Sequence, residues 1–290
     1  MEKVGNTSLH SFFDERPGIV EVKNQSIRRG PGHKVGSFLD LATKVAELQF
    51  MNREHVLLFR GQSKDHKTKN KGASLLKATL FRLEGMKIPS KSVLTRRLEI
   101  LRLAENRLVC AYGEEGLRGL DRLKRHRIVR WAILQHYDVC RTPLFDVSQS
   151  LRVAVSFAML ENETEEAFVF AFAVPNLSGA ITASSESGLQ IIRLSSACPP
   201  EAVRPHLQEG YLLGEYPEAS EVDGEDIYDY HELDFGRRLV AKFRFNPYDF
   251  RDGGKFIALD KTDLLPRYPE DKLGKICSKL KNSLKNEEAG

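Results

Sequence analysis

Polar and titratable side chains are concentrated just before an apolar run in the middle of the chain. Gln135, His136 and Tyr137 come first, and Asp146 and Ser148 follow before the sequence becomes apolar. A histidine can act in catalysis because it titrates near neutral pH, but a buried histidine whose nitrogen is satisfied by a carbonyl is an equally good interpretation of His136. Such a group of side chains at the start of a buried helix indicates one wall of a polar pocket.

The apolar run that follows has helical spacing. Its apolar residues fall at i, i+3, i+4, i+7 and i+8, which predicts a helix of about three turns with one buried face. They are Leu151, Ala154, Val155, Ala158 and Met159. We expect Asp146 or Ser148 to cap this helix, since both residue types accept hydrogen bonds from free backbone N–H groups. The same free N–H groups can bind an anion.

An arginine ends a short apolar run earlier in the chain. Residues 55–62 read HVLLFRGQ, and a run of this length that is closed by glycine predicts a buried strand. The guanidinium of Arg60 suits a bidentate contact with phosphate or carboxylate. The structural alternative is that Arg60 pairs with an acid such as Asp146 and fixes a loop.

The remaining pattern predicts an α+β protein in which helices surround a core of strands. Helices are expected near 38–48 (capped by Ser37), 90–112, 117–136 and 270–285, and strands near 165–175, 189–196 and 237–247. We expect an N-terminal extension over 1–35, a domain over 36–285 with a helical insertion at 90–136, and a tail at 286–290.

Composition excludes several classes of protein. The chain has 290 residues, of which 41% are apolar and 29% charged, as is usual for soluble globular proteins. We find no apolar run long enough to span a membrane and no signal peptide. Four scattered cysteines indicate reduced thiols in the cytoplasm and no zinc site, and no paired acids with metal-site spacing support a nuclease.

Two basic segments can form a rim that attracts nucleic acid. They carry Lys64, Lys67, Lys69 and Lys71, and Arg122, Lys124, Arg125, Arg127 and Arg130. A solvated charged surface is the preferred interpretation, because few aromatic residues lie between these cations for base stacking and the net charge is only +4. We expect no contact with a membrane.

Two blocks of sequence resemble the FRG-domain family, which is named for its Phe-Arg-Gly motif. The matching residues are Phe59, Arg60, Gly61 and Gln62 in the first block, and Gln135, His136, Tyr137, Thr142, Leu144, Asp146, Ser148, Ala154, Phe157 and Ala158 in the second. A later segment, Gln208, Glu209 and Gly210, also resembles the family. This chain has Asp138 where glycine is usual in the family. The resemblance extends from about residue 36 to about residue 280.

The same arrangement is more distantly similar to the ADP-ribosyltransferase fold. In that fold an arginine ends a first core strand, a Ser/Thr motif lies on a middle strand that leads into a helix, and a glutamate or glutamine motif lies on a late strand. The similarity implies a mixed, largely antiparallel core sheet. That similarity implies an enzyme that uses NAD, acting as a bacterial toxin or in phage defence on a macromolecular acceptor. It implies catalytic roles for Arg60 and for Gln208 or Glu209, although Glu209 can equally be a solvent-facing acid. The cofactor-binding residues would be Arg60, Gln62, Gln135, His136, Tyr137, Thr142, Asp146 and Ser148. The alternative is a non-catalytic module that binds a nucleotide, a nucleic acid or a protein in the same polar cleft.

Overall fold

The structure is a computed structural model, and its contacts divide the chain into two units. It describes residues 1–4, 9–68, 72–82, 89–217, 234–251, 256–266 and 269–288. Unit 1 consists of Met1–Leu76, Val147–Leu177 and Asp234–Leu264, and unit 2 of Lys77–Asp146, Ser178–Leu233 and Leu265–Gly290. The predicted extension, domain and tail boundaries stay predictions.

Strands and helices are numbered along the chain. The strands are β1 (Leu9–Ser11), β2 (Val20–Val22), β3 (His33–Lys34), β4 (Val56–Gln62), β5 (Phe145–Ser148), β6 (Ala167–Val174), β7 (Ile181–Ser184), β8 (Leu189–Arg193), β9 (Gly210–Glu215) and β10 (Leu239–Phe245). The helices are α1 (Asn24–Arg29), α2 (Phe38–Met51), α3 (Lys91–Glu114), α4 (Leu120–Arg125), α5 (Arg127–His136), α6 (Leu151–Met159), α7 (Leu194–Ala197), α8 (Val203–Leu207), α9 (Pro247–Arg251), α10 (Lys261–Leu264) and α11 (Lys272–Glu288).

The sheet of unit 1 is built around β6, which is buried along its whole length. Its strands are hydrogen-bonded in the order β3–β10–β6–β4–β5, and every pair is antiparallel except β10–β3, which is parallel. Helix α6 packs against β4 and β6. The segment before residue 36 belongs to the same unit, because Asn24 donates to the carbonyls of Gly236 and Leu239. β4, β6 and β10 confirm the strands that were predicted from their apolar runs.

Helix α6 begins later than the sequence suggested. Its N-cap is Ser150, whose hydroxyl accepts from the backbone N–H of Val153, so the prediction of a cap by Asp146 or Ser148 was wrong. Both residues belong to β5, a short strand that the spacing of apolar residues did not indicate. The Ser148 hydroxyl instead accepts the N–H of Ser150 and closes the turn between β5 and α6.

Unit 2 combines helices with the antiparallel strands β9–β8–β7. Helices α3, α4, α5 and α11 enclose a core that includes Leu108, Trp131 and Ile276. The helix predicted over 117–136 is two helices, α4 and α5, which meet at an extended His126. Both units therefore mix helices with mostly antiparallel strands, which confirms the α+β class.

Candidate functional site

A buried glutamine organises the polar residues of unit 2. Gln135 lies in the last turn of α5 and is 5% exposed. Its Oε1 accepts from the hydroxyls of Thr79 (2.8 Å) and Thr142 (2.7 Å), and its Nε2 donates to Asp146 Oδ2 (2.7 Å). We call Thr79, Gln135, His136, Thr142 and Asp146 the Gln135 cluster. It unites four of the predicted site residues with Thr79, which the sequence analysis did not single out.

His136 is the titratable member of the Gln135 cluster that is most deeply buried. Its Nδ1 lies 3.8 Å from Asp146 Oδ1, while its Nε2 is buried and has no hydrogen-bond partner among the described residues. Burial lowers the pKa of His136, and this effect outweighs the opposite influence of Asp146. A neutral imidazole with an available nitrogen can accept a proton or a hydrogen bond.

Tyr137 is tied into the beginning of α11. Its hydroxyl donates to Asp271 (2.7 Å to Oδ2), and Asp271 also accepts the N–H of Gly274 in the first turn of the helix. The guanidinium of Arg204 lies 5.3 Å from the centre of the Tyr137 ring. Burial and the adjacent carboxylate raise the pKa of Tyr137, so the phenol remains a hydrogen-bond donor. Its cofactor-binding role stays a prediction.

The Gln208–Gly210 turn lies beside the ring of His136. A Cβ added at Gly210 would stand 3.2 Å from His136 Cε1, so this position requires a very small residue. Gln208 is buried, whereas Glu209 is exposed and has a left-handed backbone, with φ +44°. The two predicted catalytic residues of unit 2 therefore point into different surroundings.

In unit 1, Arg60 lies on the face of β4 that is turned away from α6. A Cβ at Gly61 would stand 1.7 Å from the backbone oxygen of Ala154 in α6, which shows that Gly61 faces the helix. Because side chains alternate along a strand, Arg60 and Gln62 project from the opposite face. Phe59 is directly paired with Ser148, so β5 runs beside the strand that carries the arginine.

The residues of the predicted basic rim are partly engaged within their own units. Lys64 and Lys67 border a cleft of about 530 Å³ in unit 1, together with Asp65. Arg122 donates to the carbonyl of Ser196, and Arg127 donates to both oxygens of Glu105. Lys69 and Lys71 lie outside the described residues.

The described residues contain neither a candidate metal cluster nor a candidate membrane-spanning helix. They contain no group of three or more His, Cys, Asp or Glu side chains that could hold a metal ion. No helix in this part of the chain has the length and the apolar composition needed to cross a membrane.

Comparison with known proteins finds a family match for part of the chain. The family model of the FRG domain matches residues 55–167, a span that contains both the Phe59–Gln62 block and the residues of the Gln135 cluster. Residues 55–167 therefore match an FRG domain. The FRG match covers parts of both units and ends within β6, so the Gln208–Gly210 turn lies outside it. No curated protein and no solved structure matched the chain.

Proposed function

We propose that this FRG-domain protein binds NAD and either transfers its ADP-ribosyl group to a macromolecule or cleaves it. The order of elements in unit 1 carries the proposal. Arg60 lies near the end of β4, Ser148 ends the paired strand β5, and α6 follows at once. This order supports the proposal because the resemblance to ADP-ribosyltransferases implies an arginine strand and then a serine strand that leads into a helix.

The proposal assigns the binding of NAD to Arg60 in unit 1. Arg60 would bind the phosphates of NAD, since a guanidinium offers several donors to an anion. NAD would supply the ADP-ribosyl group. In unit 2, Gln135 and Thr142 fix the position of Asp146, and the neutral Nε2 of His136 is able to accept a proton. The cofactor-binding and catalytic roles of the unit 2 residues, Gln208 and Glu209 among them, stay predictions.

Calorimetric titration with NAD tests the proposal. The wild type is expected to bind NAD saturably, and Arg60→Ala is expected to lose at least tenfold in affinity, because a charged hydrogen bond contributes about 1.5–3 kcal/mol. Arg53→Ala is the matched control, since it removes an exposed arginine just before β4. Saturable binding that is equally weakened in both variants would count against an Arg60 site.

A non-catalytic nucleotide-binding module is the second candidate. It is favoured by the exposure of Glu209, since a catalytic carboxylate is expected to face the site in which the bond is broken. Measurement of nicotinamide release separates the two candidates. Release above the uncatalysed rate that is lost in Arg60→Ala supports the enzyme, whereas NAD binding without release supports the module.

The toxin or phage-defence role belongs to the enzyme form of this proposal. An NAD-consuming protein would deplete NAD or modify a macromolecule, and either activity harms a cell. Binding of nucleic acid by the basic residues is a separate proposal, and Lys64 and Lys67 are its best-placed described candidates because they border an open cleft.

A further inference from the structure

A second cleft, in unit 2, combines three cations with a buried amide. Its volume is about 250 Å³, and it lies between α11 and the segment that follows α5. Lys281 and Lys285 are one helical turn apart on α11 and therefore share a face. Arg141 lines the same cleft. We call this the Lys281 cleft.

Among the described residues of its lining, the acidic one is Asp138, which is turned partly towards solvent. Its side chain is 66% exposed, and its carboxylate lies 3.5 Å from the guanidinium of Arg204. The lining thus carries three positive charges against one negative charge that is already near a cation. This balance favours an anionic ligand.

Gln135 adds a hydrogen-bond donor to the lining. Its Nε2 carries two hydrogens, and the described residues supply one acceptor, Asp146 Oδ2. Its Oε1 is held by the hydroxyls of Thr79 and Thr142, so the amide cannot rotate without losing both bonds. The second N–H is therefore fixed in orientation, and it has no acceptor among the described residues.

The size of the cleft limits the ligand. Pockets that enclose drug-sized molecules have volumes of roughly 300–1,000 Å³, so about 250 Å³ suits a diphosphate or a sugar phosphate rather than a whole dinucleotide. We propose that the Lys281 cleft binds the phosphate groups of a small free metabolite, with Lys281, Lys285 and Arg141 as counter-ions and Gln135 as a neutral donor. The proposal does not depend on NAD as a cofactor of the Arg60 site.

Calorimetric titration with inorganic pyrophosphate tests the Lys281 cleft. The wild type is expected to bind with a stoichiometry of one, and the double variant Lys281→Ala/Lys285→Ala is expected to lose tenfold or more in affinity. Lys279→Ala is the matched control, because Lys279 is exposed on the same helix but does not line the cleft. Thermal unfolding of each variant verifies that α11 remains folded.

Two results would overturn the proposal. One is the absence of saturable pyrophosphate binding, and the other is equal weakening by Lys279→Ala, which would indicate general attraction to a basic helix. Titration with a single-stranded oligonucleotide distinguishes the sources of phosphate. If the oligonucleotide binds through Lys281 and Lys285 and pyrophosphate does not, the cleft recognises a nucleic-acid backbone and the proposal is wrong.

Discussion

Gly61 explains at the residue scale why a glycine follows the arginine of the FRG motif. The helix α6 approaches β4 so closely at this point that even a methyl group would overlap the backbone of Ala154. Gly61→Ala is therefore expected to lower the free energy of unfolding by about 3 kcal/mol, because neither the strand nor the helix backbone can yield easily. Urea denaturation measures this change.

Gly36→Ala is the control for that measurement. A Cβ at Gly36 would have no neighbour within 4 Å, so the free energy of unfolding should change by less than about 0.5 kcal/mol. If Gly61→Ala were as stable as Gly36→Ala, the close packing of α6 on β4 would be contradicted.

His136 makes the stability of the protein depend on pH. Its pKa is lowered in the folded state from the ordinary value of 6.5, chiefly by burial, with Arg204 acting in the same direction and Asp146 and Asp138 opposing. The unfolded state therefore binds a proton more readily, and stability is lost as the pH falls below about 6.5. We expect His136→Gln to make the loss shallower by up to about 1.4 kcal/mol per pH unit.

The free energy of unfolding between pH 5 and pH 8 provides the comparison. His33 and His55 also have lowered pKa values, so a variant that lacks only His136 is expected to retain part of the acid sensitivity of the wild type. His206→Gln, at an exposed position in α8, serves as the control. Parallel curves for the wild type and His136→Gln would show that His136 does not titrate on unfolding in this range.

At the element scale, a buried carboxylate joins α3 to α5. Glu105 of α3 accepts from Arg127 Nε (2.9 Å), from Arg130 Nε (3.4 Å) and from the indole N–H of Trp131. These residues lie in the first turns of α5, the helix that ends in Gln135 and His136. The carboxylate thus fixes the helix that carries the Gln135 cluster.

Removal of this carboxylate should destabilise unit 2. Glu105→Ala removes the carboxylate that accepts from the indole N–H and from two guanidinium groups, and the expected cost is about 3–5 kcal/mol in the free energy of unfolding. Glu99→Ala, at an exposed position of α3, should cost less than about 0.5 kcal/mol. Equal urea midpoints for the two variants would contradict a structural role of Glu105.

Several elements could be predicted from their sequence because local pattern determines them. The apolar runs gave β4, β6 and β10, and Ser37 caps α2 as expected. The start of α6 was misplaced because Asp146, Ser148 and Ser150 are all competent caps, and only the pairing of Phe59 with Ser148 assigns the first two to a strand. Similarly, nothing in the amphipathic pattern of 117–136 marks the break at His126.

The substitution of aspartate for the family's usual glycine has a visible structural reason. Asp138 has φ +52°, in the left-handed region where glycine is favoured and aspartate is among the better-tolerated alternatives. The sequence contained this signal, since a glycine in the family pattern suggests such a backbone. The residues that complete the site give no such signal, because Thr79 and Asp271 are far along the chain from Gln135 and Tyr137.

At the scale of the whole molecule, each unit is assembled from three separate stretches of chain. The FRG match contributes Arg60 and Ser148 to unit 1 and the Gln135 cluster to unit 2. The motif blocks could be recognised from the sequence because their residue types are distinctive. The unit to which each block belongs could not be predicted from the sequence, because it depends on contacts between residues that are distant in sequence.

The proposed function depends most on whether the FRG motif forms a nucleotide site. Titration of the wild type, Arg60→Ala and Arg53→Ala with NAD is the most direct measurement. We predict saturable binding by the wild type and by Arg53→Ala, and binding at least tenfold weaker in Arg60→Ala. A folded wild type that binds no NAD, or an Arg60→Ala variant that binds it as tightly as the wild type does, would contradict the proposed function.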